Sequence, residues 1–173
     1  VAERIASLGY IALAPDLFHR QGHRFETSYD DIAAARKRAM QMSEEQVLAD
    51  IDRVIATLDD QLKVGAVGFC MGGRIAFQTS FNPRLSAVVS YYGSSIAEKA
   101  QKWASHISCP LLFFFGEKDE VIPPGQIALL REILHEHSKD AEVIIYPGAE
   151  HGFFCEERAS YNAKPAQDSW ERF

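Results

Sequence analysis

The sequence predicts an α/β fold, a mainly parallel sheet flanked by helices, and three observations carry that reading. Short apolar runs suited to buried strands (Val64–Phe69, Ser86–Tyr91, Cys109–Phe115 and Glu142–Tyr146) alternate with helical patterns. Gly68-Phe69-Cys70-Met71-Gly72 marks a sharp turn out of one strand into a helix. Cys70, Asp119 and His151 each lie just past a strand, the rim on which parallel sheets gather their reactive groups. With 173 residues, 47% hydrophobic and 24% charged, the chain can bury a sizeable core, and residues 1–173 read as one domain.

Val1–Gly9 has the pattern of the last turns of an amphipathic helix, with Gly9 as its stop. Tyr10–Ala14 is an apolar run closed by Pro15-Asp16, hence a strand and then a loop. Leu17–Tyr29 has little periodicity and reads as a loop, and Asp30–Met42, rich in Ala and Arg, as a helix. Ser43-Glu44-Glu45-Gln46 is a capping box. It opens a helix with one apolar stripe, Val47, Leu48, Ile51, Val54, Ile55 and Leu58. After Val64–Phe69, a helical pattern begins at Arg74 and breaks at Asn82-Pro83. Helices are predicted over Ile96–His106 and over Pro124–His137, the latter with proline in its first turn. Asp168–Phe173 stops in mid-helix, and both ends read as truncated.

A net charge of −6 and the lack of a Lys/Arg run argue against non-specific nucleic-acid binding. No apolar stretch approaches the ~18 residues of a membrane span, and no signal peptide is visible. Cys70, Cys109 and Cys155 are too few and too scattered for a disulfide framework or a zinc site, so a reduced, cytoplasmic compartment is expected. His19 and His23 would share a metal only on a helix, and His135 and His137 diverge on theirs. No metal and no cofactor are assigned. The chain is expected to be a monomer or a homodimer acting on a small molecule.

The glycine turn carries the chemistry. Gly68 and Gly72 are expected because a Cβ there would crowd the turn and its helix. The turn sets the Cys70 sulfur over a helix N-terminus, where partial positive charge favours thiolate over thiol. His151, in a Gly-flanked loop, would take the Cys70 proton or hold it as an ion pair, and Asp119 would orient the imidazole. Glu117 and Glu120 compete with Asp119 for that role. The Met71 N–H, just after the nucleophile, would supply half of an oxyanion hole. Arg20 and Arg158 are candidate clamps for a substrate carboxylate, or solvated surface residues. Cys109 reads as core; Cys155 is a pocket-lining residue or an oxidisable thiol. A buried Cys ending a strand beside an ordinary turn is the bland alternative for Cys70.

Gly68-Phe-Cys-Met-Gly-Gly73, Tyr91-Tyr-Gly93, Gly116-x-x-Asp119 and Tyr146-Pro-Gly-Ala-x-His-Gly-Phe153 together resemble the dienelactone hydrolase family (carboxymethylenebutenolidases). Tyr10-x-Ala-x-Ala-Pro-Asp-Leu17 and the Ser160-Tyr161…Trp170 tail are also similar to it. The resemblance implies an α/β-hydrolase without a lid domain, a Cys70–Asp119–His151 triad and hydrolysis of small esters or lactones through a thioester. It also implies a carboxylate contact from Arg20. The family's second Arg follows the catalytic His; Cys155 takes its place in the best-known members, and Arg158 stands where other members carry one.

The resemblance further implies strands ahead of Val1, including one between the Tyr10 and Val64 strands that brings a second oxyanion donor and a Glu. Without that shared partner, several buried backbone groups would each cost ~1–3 kcal/mol. Their sum rivals the ~5–15 kcal/mol stability of a domain. The chain is therefore expected to be a fragment, or to have the gap filled by another segment or subunit, and to be poorly active alone. The alternative to a hydrolase is a non-catalytic or truncated hydrolase-like unit serving in binding or assembly.

Overall fold

The computed structural model describes residues 1–22, 26–27 and 31–173, which divide into Val1–Val54 and Ile55–Phe173. In the first unit, helix α1 (Ala2–Ala6) gives way to a turn that ends at Gly9, whose φ of +92° suits a residue without Cβ. Tyr10–Ala14 does not form the strand its apolar pattern predicts. A strand exists only through a partner, and no described strand pairs with this segment. Its Tyr10, Ile11 and Leu13 stand 63%, 77% and 55% exposed. Within the Leu17–Tyr29 loop, His19–Gln21 makes one 3₁₀ turn, while His23 and Arg24 lie outside the described residues. That turn is tied to helix α2 (Ile32–Met40) by Gln21 Nε2 donating to the Arg38 carbonyl at 3.1 Å, and Arg38 Nη1 donating to the Gln21 carbonyl at 3.0 Å. Asp31 caps α2 by accepting the Ala34 N–H. Helix α3 (Glu44–Ala56) starts as the capping box predicts, with the Ser43 hydroxyl accepting the Gln46 N–H at 3.3 Å. Its Val47 and Ile55 are buried, as the apolar stripe requires.

The second unit is built on four parallel strands. Chain order is β1 (Val64–Phe69), α4 (Met71–Thr79), β2 (Leu85–Tyr91), α5 (Ile96–Trp103), β3 (Leu111–Gly116), α6 (Pro124–Glu136), β4 (Ala141–Tyr146) and α7 (Ala163–Arg172). Each strand pairs with the next in sequence, so the sheet order is β1-β2-β3-β4 with one helix in each crossover. The α/β fold class read from the alternation of strand and helix is the one observed. Strand ends shift by a residue or two: β3 begins at Leu111 rather than Cys109, and the predicted Ile96–His106 helix tightens to a 3₁₀ turn over Ala104–His106.

The core explains why β3 is an unbroken apolar run. Phe113, Phe114 and Phe115 are all fully buried, which requires cover on both faces of the strand. Phe77 from α4, Tyr91 from β2 and Phe153 from the loop after β4 complete the aromatic interior. Helix α7 is fixed to the sheet by polar contacts: the Tyr91 hydroxyl donates to the Ser169 carbonyl at 3.0 Å, and the Tyr146 hydroxyl to Asp168 at 2.7 Å. Because all four strands run the same way, their carboxyl ends share one rim. Cys70, Tyr92, the 116–119 turn and the 147–151 loop therefore lie along it.

At the turn after β1, a Cβ on Gly68 would sit 1.9 Å from the Gly72 carbonyl oxygen, and one on Gly73 would sit 2.7 Å from the Tyr91 carbonyl oxygen. Gly72 differs from expectation. A Cβ there meets nothing within 4 Å, because the crowded direction is the one Gly68 faces. Gly68→Ala is expected to lower stability by about 2–4 kcal/mol in urea unfolding. Gly72→Ala, inside α4, is expected to be neutral or to stabilise by about 0.5–1 kcal/mol in the same measurement.

Candidate active site

Cys70 sits between β1 and α4 with φ of +54° and ψ of −118°, a backbone strained for a residue with a side chain. Hydrogen bonds hold it there. Its N–H donates to the Tyr91 carbonyl at 3.0 Å, and its own carbonyl accepts the N–H groups of Gly73 at 2.9 Å and Arg74 at 3.2 Å. The first bond anchors the turn to the neighbouring strand; the other two start the helix. The sulfur is thereby carried out of the strand, as the glycine turn predicts.

Asp119 follows β3, and His151 follows β4. Gly116 allows their two loops to meet closely, since a Cβ there would lie 2.4 Å from the Ala149 carbonyl oxygen. The Lys118 N–H donates to that same oxygen at 2.8 Å, and Glu117 accepts the Gly148 N–H at 2.9 Å. Glu117, an alternative to Asp119 on sequence grounds, thus clasps the loops together, and Glu120 is exposed. Asp119 uses both oxygens: Oδ1 accepts the N–H groups of Val121 and Ile122 at 2.8 and 3.1 Å, while Oδ2 meets His151 Nδ1 at 2.8 Å. The far nitrogen of the imidazole, Nε2, lies 3.1 Å from Cys70 Sγ. Three residues placed by sequence on one rim are therefore joined in one hydrogen-bonded chain.

The electrostatics favour a thiolate facing an imidazolium. Burial alone would raise the Cys70 thiol, but the hydrogen bond and charge of His151, the Met71 N–H and the nearby Arg158 outweigh it and lower its pKa. Burial alone would likewise depress His151, yet the hydrogen bonds of Asp119 and Cys70 carry it up to about 9. Cys109, by contrast, is simply pushed up by burial, as a core thiol should be.

An aromatic cluster adjoins the pair through Tyr92. Phe69 stacks on Tyr91 with centroids 4.6 Å apart and contacts Phe154 at 5.1 Å. Tyr92 presents its ring to His151 at 5.1 Å. Tyr92 carries no predicted role in the Tyr91-Tyr-Gly93 motif; its signal is an aromatic residue directly after a strand on the reactive rim. Arg158 lies over Gly152, where a Cβ would come 2.9 Å from Nη1. Arg20, in the first unit, is engaged with Asp50: Nη2 donates to Oδ1 at 2.7 Å, Nη1 to Oδ2, and His19 joins at 2.9 Å. The Arg20 hydrogen bond, with that of His19, holds the Asp50 carboxyl well below the usual carboxylate range. No group of three His, Cys, Asp or Glu suited to a metal occurs among the described residues. Nor is any described helix long and apolar enough to cross a membrane.

A parallel sheet with a cysteine on its strand-to-helix turn, and a carboxylate and an imidazole on later strand ends, has the layout of an α/β-hydrolase. The profile of the dienelactone hydrolase family matches residues 1–173, and the chain belongs to that family. It is 37% identical over 99% of its length to a Synechocystis protein provisionally named carboxymethylenebutenolidase, spanning 76% of that protein. A Yersinia pestis protein with the same provisional name is 36% identical over 99% of this chain, which spans 68% of it. The crystal structure of a provisionally assigned dienelactone hydrolase from Klebsiella pneumoniae superposes with a TM-score of 0.85 at 31% identity, covering 98% of this chain and 75% of that one. The chain is thus a hydrolase of the dienelactone hydrolase type.

Asp119→Asn weakens the hydrogen bond that most strongly raises the imidazole. The His151 pKa is expected to fall from about 9 toward its ordinary 6.5, followed by NMR of the ring protons. A raised histidine stabilises the fold most fully below pH 6.5, and that contribution fades as pH rises through about 9. The variant's stability deficit is accordingly expected near neutral pH and to shrink in alkali.

Proposed function

We propose that the chain hydrolyses small ester or lactone bonds through Cys70, His151 and Asp119, by way of a thioester. The 3.1 Å approach of His151 Nε2 to Cys70 Sγ is the observation that carries this reading. It is within reach of proton transfer without a large movement. The thiolate attacks the carbonyl carbon, and the resulting oxyanion draws the Met71 N–H as one donor. As the carbon–oxygen bond breaks, the leaving alkoxide takes the proton from His151 Nε2. The neutral imidazole then removes a proton from water, the hydroxide attacks the thioester, and the acid leaves with the thiolate restored. Asp119 keeps Nδ1 protonated throughout and stabilises the imidazolium.

The substrate class follows the relatives' name: carboxymethylenebutenolides are lactones that carry a carboxylate. Arg158, whose charge already acts on Cys70, is the residue in the second unit proposed to meet that carboxylate.

Cys70→Ala is expected to lower kcat/KM for p-nitrophenyl acetate by roughly 10³-fold or more, and iodoacetamide is expected to inactivate the wild type at neutral pH. Undiminished turnover by the alanine variant would end the proposal. Arg158→Ala is expected to raise KM about tenfold for a carboxylate-bearing lactone and to leave that of a neutral ester nearly unchanged. Equal changes for both substrates would remove Arg158 from the carboxylate contact.

A further inference from the structure

Tyr92, beside the Cys70–His151 pair, holds a strained backbone for a residue with a side chain. Its φ is +37°, in the left-handed region that residues with a side chain rarely adopt. Its N–H is fixed by donating to the Phe114 carbonyl at 2.7 Å. Gly93, which could adopt that backbone freely, is the next residue in the chain. The conformation aims the Tyr92 ring at the imidazole. Ring centroids lie 5.1 Å apart at 61°, an edge-to-face contact, and Phe153 backs the tyrosine at 5.3 Å and 74°. Tyr92 is only 3% exposed, so its ring has little room to swing away.

The imidazole needs such a wall. Its two hydrogen bonds, Nδ1 to Asp119 and Nε2 to Cys70, lie at opposite ends of the ring. Those bonds and the Cβ–Cγ tether hold the ring at its rim, so its tilt out of plane is resisted only by the bending of two hydrogen bonds. A neighbouring ring packed edge-to-face adds a steric limit on that tilt. We propose that Tyr92 is a positioning residue, whose ring fixes the tilt of His151 so that both hydrogen bonds stay aligned during turnover. The proposal rests on the reading of Cys70 and His151 as the working pair. The ring, not the hydroxyl, is the active part. Burial, together with Cys155 and Cys70, opposes ionisation of the phenol more strongly than Arg158 favours it, so the hydroxyl stays neutral. Asp119 and Cys70 bear on the imidazole by hydrogen bond and charge, and the neutral Tyr92 phenol ring stands beside it.

The test compares the full wild-type chain with Tyr92→Phe, Tyr92→Leu and Tyr92→Asn. Asn suits a left-handed backbone and stands in if Leu fails to fold. The readouts are the pH midpoint of Cys70 alkylation by iodoacetamide, resolved from Cys109 and Cys155 by peptide mass spectrometry, and the kinetics of p-nitrophenyl acetate hydrolysis. Leu and Asn are expected to move the Cys70 midpoint upward by about half to one pH unit and to lower kcat about tenfold, with KM within about twofold. Phe should match the wild type in both readouts, which a hydroxyl-based role would not allow. Leu and Asn variants with the wild-type midpoint and kcat overturn the positioning role and leave the Cys70–His151 reading intact. So does a Phe variant impaired as much as Leu. A wild-type chain whose Cys70 titrates like a free thiol overturns both readings.

Discussion

The hydrogen bond between Cys70 and His151 is the interaction on which the rest of the site depends, because burial opposes charge on both partners. Taken singly, each half-buried group would drift to its neutral form, the thiol upward and the imidazole downward. Together they reverse both shifts. The reversal needs a third member, since the imidazolium proton on Nδ1 must have an acceptor, and Asp119 Oδ2 supplies it at 2.8 Å. Asp119 can do so because its other oxygen is occupied by two backbone N–H groups of the same loop, which fix the carboxylate before the histidine arrives. The charge at the sulfur is thus set by a chain of contacts that begins in the turn after β3.

Backbone geometry at the strand ends is the second condition. Cys70 and Tyr92 follow adjacent strands, and both hold a positive φ that regular structure would not impose. Hydrogen bonds restrain each: Cys70 N–H to the Tyr91 carbonyl, and Tyr92 N–H to the Phe114 carbonyl. Each bond reaches the next strand over, so sheet register positions the reactive rim directly. Gly68 and Gly73 serve the same end by giving up the Cβ atoms that would hold helix α4 off the strands.

The alternation of apolar runs and helical patterns carried the four strands and their parallel arrangement, because parallel strands buried on both faces leave a compositional mark. Cys70, Asp119 and His151 were legible for the same reason: each stands just beyond such a run. Tyr10–Ala14 shows where the pattern stops being informative. It has the composition of a strand, but composition cannot provide the neighbour that makes one, and among the described residues it has none. The pairing of Arg20 with Asp50 was not legible, because the two stand thirty residues apart in the chain. The choice among Glu117, Asp119 and Glu120 turned on which side chain faces the imidazole, which spacing alone does not encode. The backbone of Tyr92 was not legible, because a left-handed φ at a non-glycine residue leaves no trace in hydropathy.

One contact far from the chemistry ties the last helix to the reactive rim. The Tyr91 hydroxyl reaches the Ser169 carbonyl in α7, while the Tyr91 backbone carbonyl receives the Cys70 N–H. A single residue therefore grips the carboxyl-terminal helix with its side chain and the nucleophile turn with its main chain. Fraying of α7, a local event that needs no melting of the sheet, would loosen Tyr91 and so reach the turn that holds the sulfur. Heat would then silence the enzyme some degrees before it unfolds the protein, with the carboxyl-terminal helix acting as its thermal fuse.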